Sequence, residues 1–325
     1  MSRLTERLAV ALAALAVLAA LTACAPVSTV AVPAGAAPGD TPIAALTADV
    51  TYLASPALGG RAAGMPGGDS ATAFLVRRYL RLGLRGPFRA ACDTAPVCRP
   101  ALLQRIEVGG LRTHNVAALV VGTDSALRGE YVVVGAHYDH IGRSPTLSLD
   151  PERGDVVRPG ADDNASGTAA VLELARRLAD HAPRRSVLLV HFGAEELGLV
   201  GSQAFVAHPP VPVTAMTLMV NLDMVGRLRG SRLIVDARGS PGLRALVDSA
   251  ARLAGVRTSR VRVDPSRSDQ GSFLDRGVPT VMLFTDFHED YHRATDVAAR
   301  IDYPGLSRVV DVAERVVRTA ADGGW

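Results

Sequence analysis

The strongest constraint on the fold of this chain is a set of short, densely apolar runs, each followed closely by an acidic residue or a histidine. The runs are Tyr131–Val134, Val187–Val190, Leu218–Val220 and Thr280–Phe284. Each is too short for a helix and rich in the β-branched and aliphatic residues of a strand buried on both faces of a parallel sheet. In an open α/β sheet, functional groups collect beyond the carboxyl ends of such strands. His137, Glu196, Asp223 and His292 follow these runs, and Asp163 stands between the first two of them. The fold therefore gathers residues scattered from 137 to 292, and two histidines with three carboxylates in one place read as a metal site.

The count points to two ions. A catalytic zinc takes three protein ligands, so five residues suffice for a pair when one carboxylate bridges. Imidazole and carboxylate without cysteine suit zinc, with manganese or cobalt as weaker fits. Glu195, beside Glu196, has no evident partner and is the natural general base toward a water between the ions. Successive side chains of an extended chain diverge, so one glutamate can bind metal while its neighbour faces that water.

Five stretches occur in order: Gly135-Ala-His-Tyr-Asp-His140, Gly160-Ala-Asp-Asp-Asn-Ala-Ser-Gly167, Gly193-Ala-Glu-Glu-Leu-Gly198, Asn221-Leu-Asp-Met224 and Asp290-Tyr-His-Arg-Ala-Thr-Asp296. Together they resemble the M28 family of co-catalytic zinc aminopeptidases. The resemblance runs from about Leu53 to the C-terminus and includes Leu53-Ala-Ser-Pro-Ala-Leu-Gly-Gly-Arg61, similar to the family's substrate-side opening motif. It implies that His137, Asp163 and Asp223 hold one zinc, and Asp163, Glu196 and His292 the other, with Asp163 as the bridge. It also implies Glu195 as proton carrier, Asp139 accepting a hydrogen bond from the second nitrogen of His137, and the Tyr291 hydroxyl stabilising an oxyanion. A cis peptide is expected after Asp163, with Asp162 and Asn164 shaping the loop; on its own, such an Asp-Asp-Asn turn would read as a helix cap. His140 is expected beside the site or without a role, and His114, His181, His191, His208 and His288 match no ligand position. Ser268-Asp269 resembles the start of a family Ser-Asp-His motif, in which Gln270 replaces the histidine.

The expected fold class is α/β, a three-layer α/β/α sandwich around a mixed, largely parallel sheet, the mixed character being implied by the resemblance. Apolar spacing predicts helices over 43–54, 69–83 (with Asp69 and Ser70 as caps), 166–180, 241–254 and 304–321, and strands near 102–108, 115–121, 130–136, 186–192, 214–221, 231–236 and 279–285. One peptidase domain is expected over 43–325. The function the resemblance implies is removal of N-terminal residues from peptides. The alternatives are a carboxypeptidase or glutaminyl cyclase on the same scaffold, or a non-catalytic peptide-binding lipoprotein.

Residues 1–23 read as a leader: Arg3 and Arg7 precede the apolar run Leu8–Leu21, whose length is that of a signal-peptide core. Leu21-Thr-Ala-Cys24 resembles a bacterial lipobox, which makes Cys24 a lipid-bearing membrane anchor and places the protein in the cell envelope. Residues 24–42, rich in Ala, Pro and Val, read as a tether. Cys92 and Cys98 are close in sequence and are expected to form a local disulfide in an exported protein. The net charge is +3, and every Lys-or-Arg position is Arg. Acidic residues are interspersed with the arginines and no basic stripe or stacking motif appears, which excludes nucleic-acid binding.

Overall fold

The computed structural model describes residues 41–89 and 100–325. The expected leader, most of the tether, Cys24, Cys92 and Cys98 lie outside the described residues. Among the described residues, no helix is long and apolar enough to cross a membrane.

Eight strands form one mixed sheet in the order β3-β4-β6-β5-β7-β10-β8-β9. They are β3 (Leu103–Val108), β4 (Leu111–Val120), β5 (Tyr131–His137), β6 (Ser186–Phe192), β7 (Met216–Leu222), β8 (Arg232–Arg238), β9 (Arg257–Ser259) and β10 (Thr280–Phe284). The two short strands β1 (Phe88–Arg89) and β2 (Pro100–Ala101) pair separately. At the centre, β6, β5, β7 and β10 run parallel. β4 flanks them antiparallel on the β6 side and β8 on the β10 side. The four central strands are the four apolar runs, and a strand covered on both faces has no polar side to present.

Alternation along the strands divides the core. Val132, Val134, Leu189, Val220 and Leu283 pack under α1 (Pro42–Leu53), α2 (Pro66–Arg81), α3 (Gly167–Asp180), α5 (Leu243–Leu253) and α7 (Tyr303–Ala321). Val133, Leu188, Val190 and Met219 face the opposite way, toward α4 (Val200–Ala207) and α6 (Gln270–Leu274). On that thinner side Phe205 and Phe273 close on Phe192 with ring centroids 5.9 Å apart in each case. Truncating such a buried ring to alanine costs about 3–5 kcal/mol, so this small cluster is what fastens the second helical layer.

Boundaries differ from expectation where local chemistry overrides spacing. α2 starts at Pro66, not at the Asp69-Ser70 pair, because proline fits the first helical position; Asp69 lies in the first turn, where the helix dipole favours a carboxylate. β4 begins four residues early, as the second arm of a hairpin that turns at Gly109-Gly110, both at positive φ. β9, α4 and α6 were not anticipated, being too short to display a period.

Candidate metal centre

Each expected ligand stands at or beyond the carboxyl end of a central strand. His137 is the last residue of β5; Glu195 and Glu196 follow β6; Asp223 follows β7; His292 lies in the loop after β10. Asp163 sits in the turn 161–166 that enters α3, and the Asp163–Asn164 peptide is cis. Asn164 ties that turn to the sheet: its Nδ2 donates to the Leu222 carbonyl at 3.0 Å, and its Oδ1 accepts from the Met224 and Gly167 amides. Asp296 accepts from the amides of Asp162 and Asp163, and Arg227 pairs with Asp296 at 3.0 Å and with Asp290 at 2.6 Å. Asp162 is occupied elsewhere, between His288 Nε2 at 3.0 Å and the Gly226 amide at 2.7 Å.

These supports aim the donor atoms at two adjoining points. His137, Asp163 and Asp223 form one group able to hold an ion; His140, Asp163, Glu196 and His292 form a second, and within each group the donor atoms lie within 4.8 Å of one another. His137 Nε2 is 3.4 Å from Asp163 Oδ1 and 3.4 Å from Asp223 Oδ1. His292 Nε2 is 3.1 Å from Asp163 Oδ2 and 3.1 Å from Glu196 Oε2. Asp163 thus offers one oxygen to each group. Asp223 Oδ1 and His292 Nε2 are buried and meet no protein partner at hydrogen-bond geometry. Convergent carboxylates and imidazoles with orphaned donor atoms fit divalent ions of the zinc class.

The electrostatics agree. Burial would lower both imidazoles, but Glu195 and Asp223 hold His137 well above its ordinary range, and Asp163 and Glu196 push His292 up to about 11. Burial would raise Asp163, but the two histidines hold it well below the usual carboxylate range. The clustered carboxylates thus make this a place that favours positive charge.

Glu195 belongs to neither group. It lies 4.0 Å from His137 Nε2, and burial, reinforced by Asp269, Asp223 and Glu196, pushes its carboxyl well up. Asp139 orients it in a way the sequence did not suggest. The His137 ring donates from Nδ1 to the backbone carbonyl of Asp139 at 3.2 Å, with the Asp139 carboxylate 3.8 Å away. That carboxylate instead accepts from the Glu195 amide at 3.0 Å and the Glu196 amide at 3.4 Å. Ala194, Met224 and His292 all take positive φ, of 59°, 49° and 52°. Non-glycine residues in this region mark strain held by the surrounding structure, and all three stand at or next to a site residue.

His140 stands where one of its two expectations put it, whereas Arg61 and Asp269 differ from expectation or went unforeseen. His140 is buried beside the second group, with Nδ1 2.8 Å from Glu196 Oε1. Arg61, expected on the substrate side, is fully buried behind the site and donates to the carbonyls of Tyr138, Leu53, Pro159 and Gly160. Asp269 is also fully buried, and burial pushes its carboxyl up to about 7.

A cavity of about 390 Å³ opens over the cluster, walled by Met224, Ile234, Met282, Phe284, Phe287 and Tyr291. Tyr291 leans on the His292 ring, centroids 4.0 Å apart, and burial with the nearby carboxylates pushes its phenol up.

A family model described as Peptidase family M28 matches residues 115–317, more than half of the chain. An aminopeptidase of Pseudomonas aeruginosa is 34% identical over 184 residues, covering 53% of this chain and 31% of that protein, so the chain spans about a third of its relative. A Zn-dependent exopeptidase from Parabacteroides distasonis superposes with a TM-score of 0.68 at 20% identity, covering 85% of this chain and 97% of the other. A glutaminyl cyclase from Porphyromonas gingivalis does so with a TM-score of 0.68 at 20% identity, covering 86% and 98%. At those identities the two structures share the fold alone. With the family match spanning β4 to α7, and so every residue of both groups, this chain belongs to peptidase family M28.

Proposed function

We propose that the protein is a zinc-dependent aminopeptidase with two ions per chain, held by His137, Asp163 and Asp223 and by Asp163, Glu196 and His292. The observation that carries the reading is the split of Asp163, one oxygen toward each imidazole. When bound, a pair of divalent ions supplies Lewis acidity toward a peptide carbonyl and lowers the pKa of water.

The chain's own residues then have distinct tasks. Glu195 takes a proton from the attacking water and returns it to the leaving amine; its raised pKa is the direction such a carrier needs near neutral pH. Asp139 fixes the backbone that carries Glu195, and the Tyr291 hydroxyl donates toward the developing oxyanion. The carboxylates around the cluster receive the substrate's ammonium group, and the apolar walls take its first side chain.

Rates on free aminoacyl p-nitroanilides should exceed those on their N-acetylated counterparts by orders of magnitude, because acetylation removes the charge the carboxylates need. Equal rates would overturn the aminopeptidase reading. Release of pyroglutamyl product from N-terminal glutamine peptides would replace it with a cyclase. The leader supports export and anchoring through a lipid on Cys24, tested by whether Cys24→Ala moves the protein out of the membrane fraction.

A further inference from the structure

The cavity over the two groups carries opposite charge at its two ends. Asp163, Glu195, Glu196 and Asp223 line its inner end, whereas Arg262 and Arg267, both exposed, line its mouth. Two acids share that mouth, and each is engaged by the protein. Asp286 pairs with Arg232 at 2.9 Å, and Asp264 Oδ1 accepts from the Ser266 amide at 3.0 Å and the Ser266 hydroxyl at 2.8 Å. Ser266, and at longer range Arg267, hold the Asp264 carboxyl below its ordinary range. Among the described residues, neither the Arg262 nor the Arg267 guanidinium enters an ion pair or donates a hydrogen bond.

Arg267 is nevertheless held in place. Its guanidinium carbon lies 5.6 Å from the centre of the Phe287 ring, and that ring packs on Phe284 and Tyr291 at 5.1 and 4.9 Å. Attraction to an aromatic ring fixes a cation without consuming its N–H donors. A guanidinium with its donors free matches a carboxylate best, through two parallel bonds.

At about 390 Å³ the cavity is small for a ligand site, with room for one side chain and the bond beyond it. The substrate's ammonium group goes to the inner carboxylates and its first side chain to the apolar walls, so the leaving part of the peptide is what reaches the mouth. We propose that Arg262 and Arg267 form a carboxylate-accepting subsite for the leaving side of the substrate. The enzyme then favours short peptides whose C-terminal carboxylate falls there, or longer ones with an acidic second residue. Extended chain advances about 3.4 Å per residue, so both kinds of carboxylate lie within one short reach of the scissile bond.

The inference rests on the aminopeptidase reading, and the experiment separates the two. The zinc-loaded protein is assayed for kcat/KM on three pairs of substrates: Leu-Gly and Leu-Gly-amide, Leu-Glu-amide and Leu-Gln-amide, and glutamyl and glutaminyl p-nitroanilide. Wild type is compared with the double variant Arg262→Met, Arg267→Met, which keeps unbranched apolar stems and loses both charges. In the first or second pair the wild type should favour the acid by about five- to tenfold, chiefly through KM, as two partly exposed charge-assisted contacts would. The first pair reports a C-terminal carboxylate and the second an acidic side chain. The double variant should lose the preference, and added salt should shrink it in the wild type. No preference for the acid in the wild type, or a preference that the double variant keeps, overturns the subsite. A preference confined to the glutamyl p-nitroanilide places the arginines at the end of the first side chain and overturns the leaving-side assignment. Cleavage of none of these substrates is a failure of the aminopeptidase reading and removes the ground of the inference with it.

Discussion

His292 donates from Nδ1 to the carbonyl of Leu147, 2.9 Å away, across a separation of 145 residues. A carbonyl only accepts, so this contact fixes the ring and turns Nε2 toward Asp163 and Glu196. Leu147 belongs to the loop before Asp163, and that loop is closed by a buried pair, Arg158 Nε to Asp150 Oδ1 at 2.7 Å. Asp150 in turn accepts from the Ala294 amide, two residues past His292. Arg158→Met leaves Asp150 as an uncompensated buried charge and should cost about 3–5 kcal/mol, read by urea denaturation of the zinc-loaded protein. A loss no greater than that of a surface substitution would show that the loop does not depend on this pair.

Glu195→Gln should lower kcat by about 10²–10⁴-fold while the zinc content stays at the wild-type value, because only proton transfer is removed. Metal analysis beside steady-state kinetics checks this. Loss of zinc together with turnover would reassign Glu195 to the metal.

Asp163→Ala should strip both ions at chelator concentrations that the wild type resists, since one side chain serves both groups. Removal of one ion with full retention of the other would contradict a bridge.

Zinc binding should release protons and strengthen as pH rises. The folded, metal-free His292 is pushed up to about 11, so at pH 8 an ion must displace its proton, and His137 is shifted the same way. The sign for stability is the same one: the raised pKa of His292 favours the folded metal-free chain fully below about pH 6.5, and that contribution is lost as pH climbs toward about 11. An indicator dye in weak buffer measures the release directly, and proton-neutral uptake at pH 8 would show that the imidazoles are already free.

The strands and ligands were legible because one physical rule governs both. A doubly covered strand must be continuously apolar, and its end is where chemistry sits, so His137, Glu196, Asp223 and His292 followed from the same pattern that located β5, β6, β7 and β10. What could not be read is whatever depends on where a side chain turns. Asp139 was assigned to the His137 ring when its carboxylate holds the Glu195 amide, and both outcomes fit the same spacing. The hydrogen bonds from Asn221 to Ser268 and Gln270 join two chain segments whose proximity no local period encodes. Ile234, Met282 and Phe284 are ordinary strand residues in sequence and become cavity walls only through the order in which β8 and β10 lie in the sheet.

The buried guanidinium of Arg61 bears on what the fold needs in order to form. Burial lowers its pKa to about 10, with Asp163, Asp139, Asp296 and Glu196 opposing that fall, so it is a permanent cation at neutral pH placed behind the carboxylates. It also gathers the carbonyls of three separate segments, before α2, after β5 and ahead of Asp163, into one knot. Arg61 therefore ties the scaffold of the centre together with a charge that belongs to the chain itself. Folding should therefore not require zinc: the chelator-stripped chain should keep its far-UV circular dichroism, and its collapse on stripping would show that the ions, not Arg61, hold the scaffold.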